Sequence, residues 1–313
     1  MKCLALLALA VALVAEGSLP GRREAIERGL RFIYQTAKDP GNFAEHGEDY
    51  LWCLYSIGST SRDPALSKTA LEMGRERAAV WMRDYSTLPP NAGADEIANL
   101  VYGAYAAEQL GFPDPKLKEQ IRQAAAHFSA QDYLGFDPAR ESPHGKDESP
   151  YDALQDALTS TYFGDHYGVT LGASYADVIR WLPAMRPYRG RENGGNKEFY
   201  ATVYAITHVV YTQDDYSRHR LSPHSLPEEF HFLKANSMEA VALKDPETMG
   251  EFLDSLKAFG LKDHNPLIRS GRQYLLSTQN PDGSWGDADS KDVYNRYHPT
   301  WTAVDGLRDY KWE

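Results

Sequence analysis

The 313-residue sequence predicts an all-α protein in which about six helix pairs close into an α/α toroid. Three observations lead to this fold class. Apolar residues recur at helical spacing, strand-like alternation is scarce, and the helical pattern repeats about every fifty residues. Amphipathic segments with a charged face alternate with segments that are more apolar and aromatic. We therefore expect the apolar helices to form an inner barrel and the amphipathic helices an outer one.

The outer helices are expected to begin near Arg22, Pro64, Pro115, Ser174, Pro227 and Asn265. The inner helices are expected to begin near Phe43, Ala94, Tyr151, Lys197, Pro246 and Pro299. Glycines at the ends of inner helices and near them fit C-terminal caps: Gly58, Gly111, Gly168 and Gly260. An open α-solenoid is the alternative architecture. Closure is favoured because the first and last pairs both carry aromatic faces, with Trp52 in one and Trp301 in the other.

The N-terminal segment predicts export. Residues 1–17 contain one lysine, about a dozen apolar residues and a small-residue ending, which is typical of a secretory signal peptide. We expect a secreted or periplasmic protein in which residues 18–313 form a single domain. Once the signal is removed, Cys53 is the one cysteine left, and its apolar surroundings predict a buried, inert thiol.

Composition excludes several classes of partner. The formal net charge of −11 disfavours binding to nucleic acid or to anionic membranes. No segment after the signal is apolar for long enough to predict stable membrane insertion. No phosphate-binding G-x-x-x-x-G-K-[ST] motif and no G-x-S-x-G elbow occur, so neither a nucleotide cofactor nor a serine hydrolase is expected. Twenty tyrosines and six tryptophans predict an aromatic-lined cavity.

Two segments near the C-terminus resemble a known superfamily. Residues 276–286 read LSTQNPDGSWG and resemble the Q-x-x-D-G-S-W repeat of the squalene–hopene cyclase family. Residues 297–307 resemble the last inner helix of terpenoid cyclases and protein prenyltransferase β subunits. The resemblance implies an α/α toroid in which Gln279 caps an outer helix, Asp282 and Gly283 form a turn, and Trp285 packs between helices.

The resemblance does not extend to the activities of that superfamily. Cyclases of this type use a D-x-D-D motif, whereas the nearest match here, residues 212–215, reads TQDD. The prenyltransferase zinc site needs a cysteine ligand, and no cysteine lies near the later inner helices. We therefore keep the fold and reject both reactions.

Polar residues on the inner helices are the candidate site. His46, His208 and His298 are candidate ligands of one divalent transition metal, Zn, Cu or Fe, because imidazole suits these ions. Asp156, Tyr204 and His208 are candidate catalytic residues, with Asp156 as a ligand or base. Because proline is favoured at the first helical position, the sequence predicts a helix beginning at Pro299 with His298 at its N-cap. The alternative is that these side chains are buried, hydrogen-bonded polar groups.

A second group of residues is a candidate for contacts with a substrate. Arg218 and Arg220 stand out in an acidic protein and are candidate ligands of a carboxylate or sulfate group. The alternative is that they pair with Asp214 and Asp215. Trp301 and Asp305, on the last inner helix, are further candidate substrate-binding residues.

Three classes of function fit these residues. The first is an enzyme with a central-cavity site, favoured as a metal-dependent oxidation or hydrolysis of a small or chain-like substrate. A polysaccharide lyase or hydrolase that uses cavity carboxylates and tyrosines is the alternative chemistry. The third class is a non-catalytic ligand-binding or scaffold protein. The expected partner is a small-molecule or glycan-like substrate.

Overall fold

The structure, a computed structural model, describes residues 21–144 and 149–312. These residues form fourteen α-helices and one short 3₁₀ helix, and no strand, which confirms the all-α class. The predicted signal peptide lies outside the described residues. The helices are α1 Arg22–Ala37, α2 Pro40–Thr60, α3 Pro64–Asp84, α4 Ala94–Gln109, α5 Pro115–Ala125, α6 Ala130–Leu134, α7 Pro150–Tyr167, α8 Tyr175–Ile179, α9 Arg191–Gln213, α10 Pro227–Asn236, α11 Glu239–Leu243, α12 Pro246–Ala258, α13 Pro266–Thr278 and α14 Tyr294–Leu307.

A capping residue followed by proline starts many of these helices. The side chain accepts hydrogen bonds from the first free backbone N–H groups, and proline at the next position has the required φ and no N–H to satisfy. The pairs that do both are Asp39-Pro40, Asp63-Pro64, Asp114-Pro115, Ser149-Pro150, Asp245-Pro246 and Asn265-Pro266. This local signal explains why most predicted starts agree with the structure to within a few residues.

The more apolar helices contact one another in chain order. Helix α2 packs against α4, α4 against α7, α7 against α9, α9 against α12, and α12 against α14. Helix α14 in turn meets α2, because the rings of Tyr297 and Tyr50 lie 4.4 Å apart. The amphipathic helices cover this set: α1 packs on α14 and α2, α3 on α2 and α4, and α13 on α12 and α14.

The LSTQNPDGSWG segment connects α13 with α1 through side-chain hydrogen bonds. Trp285 is fully buried and donates its Nε1–H to the Leu275 carbonyl at 2.7 Å. Gly283 has a φ of +96°, as the predicted turn requires. Gln279 is the C-cap residue of α13, as predicted, but its side-chain amide makes no hydrogen bond with α13. Its amide instead donates to the carbonyl of Ala25 on α1 at 2.9 Å and to that of Gly283 across the turn.

Some predicted boundaries were wrong. Gly58 is not a cap but lies inside α2, where its missing Cβ lets Leu71 of α3 approach closely. Helix α14 begins at Tyr294 and not at Pro299, so His298 lies within the helix. Asp292 explains the early start, because its Oδ1 accepts from the backbone N–H of Tyr294 at 2.9 Å. The outer helix expected near Ser174 is only the five-residue α8.

Burial of Cys53 agrees with the prediction. Cys53 is a free thiol, fully buried on α2, and burial raises its pKa. Among the helices of residues 21–144 and 149–312, none is long and apolar enough to cross a membrane.

Candidate functional site

A cavity of about 170 Å³ lies among the six consecutive apolar helices. Each of α2, α4, α7, α9, α12 and α14 contributes at least one side chain to its wall. The lining residues combine carboxylates, imidazoles and aromatic rings: Asp49, Tyr102, Thr159, His208, Tyr211, Tyr216, Glu251, Asp254, Tyr294, His298, Trp301 and Asp305 are among them. A concave site with converging polar groups is the usual form of a ligand site.

The first feature of the cavity is an ion pair between α14 and α12. His298 Nδ1 lies 3.1 Å from Glu247 Oε1, and both side chains are largely buried. Burial lowers the pKa of His298, but the attraction of Glu247 and Glu251 outweighs it and raises the pKa to about 9. Burial raises the pKa of Glu247, but nearby His298 reverses this and holds it below its ordinary value. The pair is therefore charged at neutral pH.

His208 on α9 has the opposite protonation state. Its Nδ1 lies 2.8 Å from the Tyr204 carbonyl oxygen. A carbonyl only accepts, so Nδ1 carries the proton and Nε2 keeps its lone pair. Burial, together with the nearby cationic His298, lowers the pKa of His208 to about 4. One cavity therefore holds a neutral imidazole beside a cationic one.

Two carboxyl groups face this pair of imidazoles. Glu251 is buried on α12 and accepts a hydrogen bond from Thr207 Oγ1 at 2.7 Å. Burial and the neighbouring Glu247 raise the pKa of Glu251 to about 8, so it is largely protonated at neutral pH. Asp49 on α2 accepts a hydrogen bond from the Tyr297 hydroxyl at 2.8 Å. The cavity thus offers a protonated carboxyl group as an acid.

Aromatic rings form much of the remaining wall. Tyr294 stacks on His298 with ring centroids 4.9 Å apart and an interplanar angle of 14°. The indole N–H of Trp301 is buried, and no residue in the described parts of the chain accepts its hydrogen bond. An unsatisfied donor at a cavity wall is a candidate contact for a ligand.

A second buried charged group, which we call the floor group, consists of Asp254, Asp305 and Arg308, which line the cavity, and Lys257, which bonds to the last two. Arg308 donates to Asp305 Oδ1 and, at 2.9 Å, to Thr60 Oγ1. Lys257 Nζ donates to the carbonyls of Asp305 and Arg308 at 2.6 and 2.8 Å. Burial raises the pKa of Asp254 and lowers that of Lys257. The floor group ties the ends of α12 and α14 together.

The predicted metal triad is only partly assembled. His208 and His298 line the same cavity, whereas His46 lies at a kink in α2 against the rings of Tyr294 and Tyr297, at 5.8 and 5.3 Å. Within residues 21–144 and 149–312, no three His, Cys, Asp or Glu side chains are arranged to hold a metal ion.

The other predicted catalytic residues lie at different depths. Tyr204 donates its hydroxyl to Glu247 Oε1 at 3.1 Å, so it supports the ion pair. Burial and Glu247 raise its pKa well above the ordinary value. Asp156 lies exposed on α7, one turn before Thr159, which lines the cavity.

The predicted substrate-binding residues separate into three places. Trp301 lines the cavity, and Asp305 lies in its floor, bound to Arg308. Arg218 pairs with Asp215, with Nη1 3.4 Å from Oδ2, and also contacts the Tyr55 hydroxyl. Arg220 is exposed and lies over the ring of Trp312, 5.6 Å from its centroid. Pairing with a neighbouring aspartate, the alternative interpretation, thus holds for Arg218 only.

Glu247 and Glu251, the two carboxyl groups that most strongly raise the pKa of His298, are not among the residues that the sequence predicts for the site. The sequence of α12 contains a pattern that could have predicted them. Glu247, Glu251 and Asp254 are spaced at one-turn intervals on a helix that is otherwise largely apolar. Residues at such spacing share one face, and a buried helix rarely places acids there without partners.

Comparisons with protein-family models, with curated proteins and with solved structures give no match for this chain in any of the three cases. The geometry of the cavity is therefore the basis for assigning a function.

Proposed function

We propose that the protein is a secreted α/α toroid enzyme that hydrolyses a small neutral glycan in its central cavity. The contacts that run from α2 through α14 and back to α2 support an inner barrel with the amphipathic helices outside. The signal-like residues 1–17 support export, and hydrolysis outside the cell requires no diffusible cofactor.

The chemistry of the wall supports a sugar-like substrate. Aromatic rings such as Tyr294 and Trp301 offer flat apolar surfaces for sugar rings, and the polar groups between them suit hydroxyls. The carboxyl groups of the wall outnumber its cations, so an anionic substrate would be repelled. The cavity volume of about 170 Å³ favours one or two sugar units over a long chain.

Glycoside hydrolysis needs an acid for the departing oxygen and a base for the attacking water. In our proposal, Glu251 is the acid, because its raised pKa keeps it protonated at neutral pH. The neutral Nε2 of His208 is the base that takes a proton from water. Asp49 and the tyrosine rings stabilise the positive charge that develops on the sugar.

His298 and Glu247 prepare the site. The ion pair fixes the ring of His298, and its Nε2–H is free to donate to a substrate hydroxyl. Tyr204 holds Glu247 in place through its hydroxyl. The observation that carries the proposal is that His208, His298 and Glu251 line one cavity, in which burial and neighbouring charges shift their pKa values in different directions. Acid and base roles arise where environments separate titration states.

The test is release of reducing ends from a panel of neutral disaccharides and short oligosaccharides by the mature protein. We expect activity with at least one of them. The Glu251→Gln variant keeps the size of the side chain and its bond to Thr207 but cannot donate a carboxyl proton. We expect it to lower kcat by about 100- to 10,000-fold.

Asp287→Asn provides the control, because this side chain is exposed after the LSTQNPDGSWG turn. Its activity should equal that of the wild type. Binding of a neutral sugar without cleavage would instead make the protein a ligand-binding protein. If no neutral sugar is bound or cleaved, the proposal fails.

A metal-dependent site is the second candidate, and one observation favours it. In both His208 and His298, Nδ1 lies beside an oxygen, of a carbonyl and of a carboxylate, and no hydrogen bond within residues 21–144 and 149–312 involves Nε2, which is how metal-binding histidines are commonly oriented. Elemental analysis of protein purified without chelator, beside His298→Ala, tests this. About one equivalent of Zn, Cu or Fe that the variant loses would support the metal site, and absence after reconstitution would reject it.

A further inference from the structure

A second pocket, of about 480 Å³, lies at the opposite end of the inner helices from the imidazoles. Glu247 is in the first turn of α12, whereas Lys257, which lines the second pocket, is in its last turn. Ten residues of helix separate them by about 15 Å along the axis. The two sites share no lining residue, so the second pocket is a different site from the central cavity.

Three segments of the chain build the second pocket. Arg62 follows the end of α2, Arg220 follows α9, and Lys262 follows α12. Backbone hydrogen bonds hold these segments in place. Leu221 N–H donates to the Ala258 carbonyl at 3.0 Å, and Arg62 N–H donates to the Asp309 carbonyl at 2.9 Å. The arrangement is therefore built by the fold and does not depend on long, free loops.

The charge of the second pocket is opposite to that of the protein. Its two lining carboxylates, Asp263 and Asp309, already bind Arg22, and Asp263 also binds Arg272. Arg62, Arg220 and Lys262 are all exposed, and none of the ion pairs among the described residues includes them.

Three uncommitted cations around one pocket are unexpected in a chain with a net charge of −11. Like charges that have no ion-pair partner repel one another, and an anionic ligand would relieve the repulsion. The carbonyls at the end of α12 oppose this only weakly, because the Lys257 and Ala258 carbonyls already accept backbone hydrogen bonds.

Aromatic rings complete the second pocket. Tyr310 and Trp312 lie in its wall with ring centroids 4.8 Å apart, and the guanidinium of Arg220 lies over Trp312. The N–H groups of an arginine can bind two oxygens of a carboxylate or sulfate, and the half-buried ring of Trp312 can pack on an apolar face of the same ligand.

We infer that the second pocket binds a sugar unit carrying a carboxylate or sulfate group, which Arg62 and Arg220 hold and the Trp312 ring supports. The choice of a sugar, rather than another ring-bearing anion, rests on the proposed export of the protein. The site would hold an acidic glycan at one end of the molecule, away from the central cavity.

Calorimetric titration of the mature protein at low ionic strength tests the inference. The arms are a uronate disaccharide, a sulfated disaccharide, inorganic sulfate, AMP and a neutral disaccharide. We expect saturable binding of the uronate or the sulfated disaccharide, tighter than that of sulfate alone and weakened by added salt. Equal or tighter binding of AMP would overturn the choice of a sugar.

The double variant Arg62→Gln/Arg220→Gln should weaken this binding by about tenfold or more. Both side chains are exposed, so we expect the fold to persist, as circular dichroism and the thermal midpoint would verify. Lys116→Gln, an exposed change on α5, is the matched control and should bind as the wild type does. Unchanged binding by the double variant, or no binding of either anionic sugar, would refute the site.

The titration is independent of the proposed hydrolysis. His298→Gln alters the central cavity only and should leave binding in the second pocket unchanged. If the unaltered protein binds the acidic sugar but hydrolyses no neutral sugar, only the first proposal fails, and hydrolysis without binding of the acidic sugar rejects the second alone.

Discussion

The two ends of α12 and α14 bury charged side chains in opposite ways. In the floor group, Arg308 and Lys257 each donate at least two hydrogen bonds to protein acceptors, so these buried cations are satisfied. At the other end, His298 Nδ1 faces Glu247 without an aligned hydrogen bond, and the Trp301 indole N–H is buried with no acceptor in the described residues.

This difference suggests that the floor group stabilises the fold, whereas the groups around His298 are available to a ligand. A buried polar group that is fully bonded adds rigidity, whereas an unbonded one costs stability and persists where something else uses it. We therefore expect changes in the floor group to affect folding, and changes around His298 to affect ligands.

The largest effect is expected for Arg308→Met. The variant keeps much of the side-chain volume but leaves Asp305 buried without its cationic partner. Removing one member of a buried pair costs about 3–5 kcal/mol of unfolding free energy. Urea denaturation followed by circular dichroism measures this loss.

Arg269→Met on α13 is the matched control, because Arg269 is exposed. It should change the unfolding free energy by no more than about 0.5 kcal/mol. A loss below about 1 kcal/mol for Arg308→Met would show that the floor group is not the structural end of the molecule.

An intermediate, pH-dependent effect is expected for Glu251→Gln. The folded-state pKa of Glu251, about 8, lies above the ordinary value, so the unfolded chain releases this proton first as pH rises. Its contribution to stability is complete below the ordinary carboxyl pKa and is lost as pH rises through about 8.

Glutamine has no proton to lose at this position. As pH rises from 5 to 8, the variant should therefore become increasingly more resistant to unfolding than the wild type. Unfolding curves of both proteins at several pH values test the sign. Parallel profiles would mean that Glu251 titrates normally and cannot serve as the acid.

Most helix starts could be predicted from the sequence, because they depend on neighbouring residues in the chain. Asp-Pro, Ser-Pro and Asn-Pro pairs set most starts within a few residues, and Trp285 is buried as its motif predicts. The prediction failed where a proline lies inside a helix. The sequence predicts Pro299 as a first residue, but α14 begins at Tyr294, whose backbone N–H donates to Asp292 Oδ1.

The site was less predictable, because it depends on which helix faces meet. His208 and His298 were named in advance, but His46 faces Tyr294 and Tyr297 instead of joining them. Glu247 was missed, since its role comes from a contact with a residue far along the chain. Spacing along one helix shows which side chains share a face, but not what lies opposite.

The smallest effect is expected for Trp301→Phe, and Trp285→Phe is its matched comparison. The Trp285 N–H is bonded to the Leu275 carbonyl, so the change removes a buried hydrogen bond and leaves a void. It should cost about 2–4 kcal/mol of unfolding free energy.

The Trp301 N–H has no acceptor in residues 21–144 and 149–312, and the ring borders a cavity that already exists. Trp301→Phe should therefore cost less than about 1 kcal/mol while weakening binding of a neutral sugar, as parallel denaturation and titration would measure. Equal losses of stability for both variants would mean that Trp301 has a structural role like that of Trp285. A role in ligand binding instead predicts a small loss of stability, because the Trp301 N–H then bonds to the ligand and not to the protein.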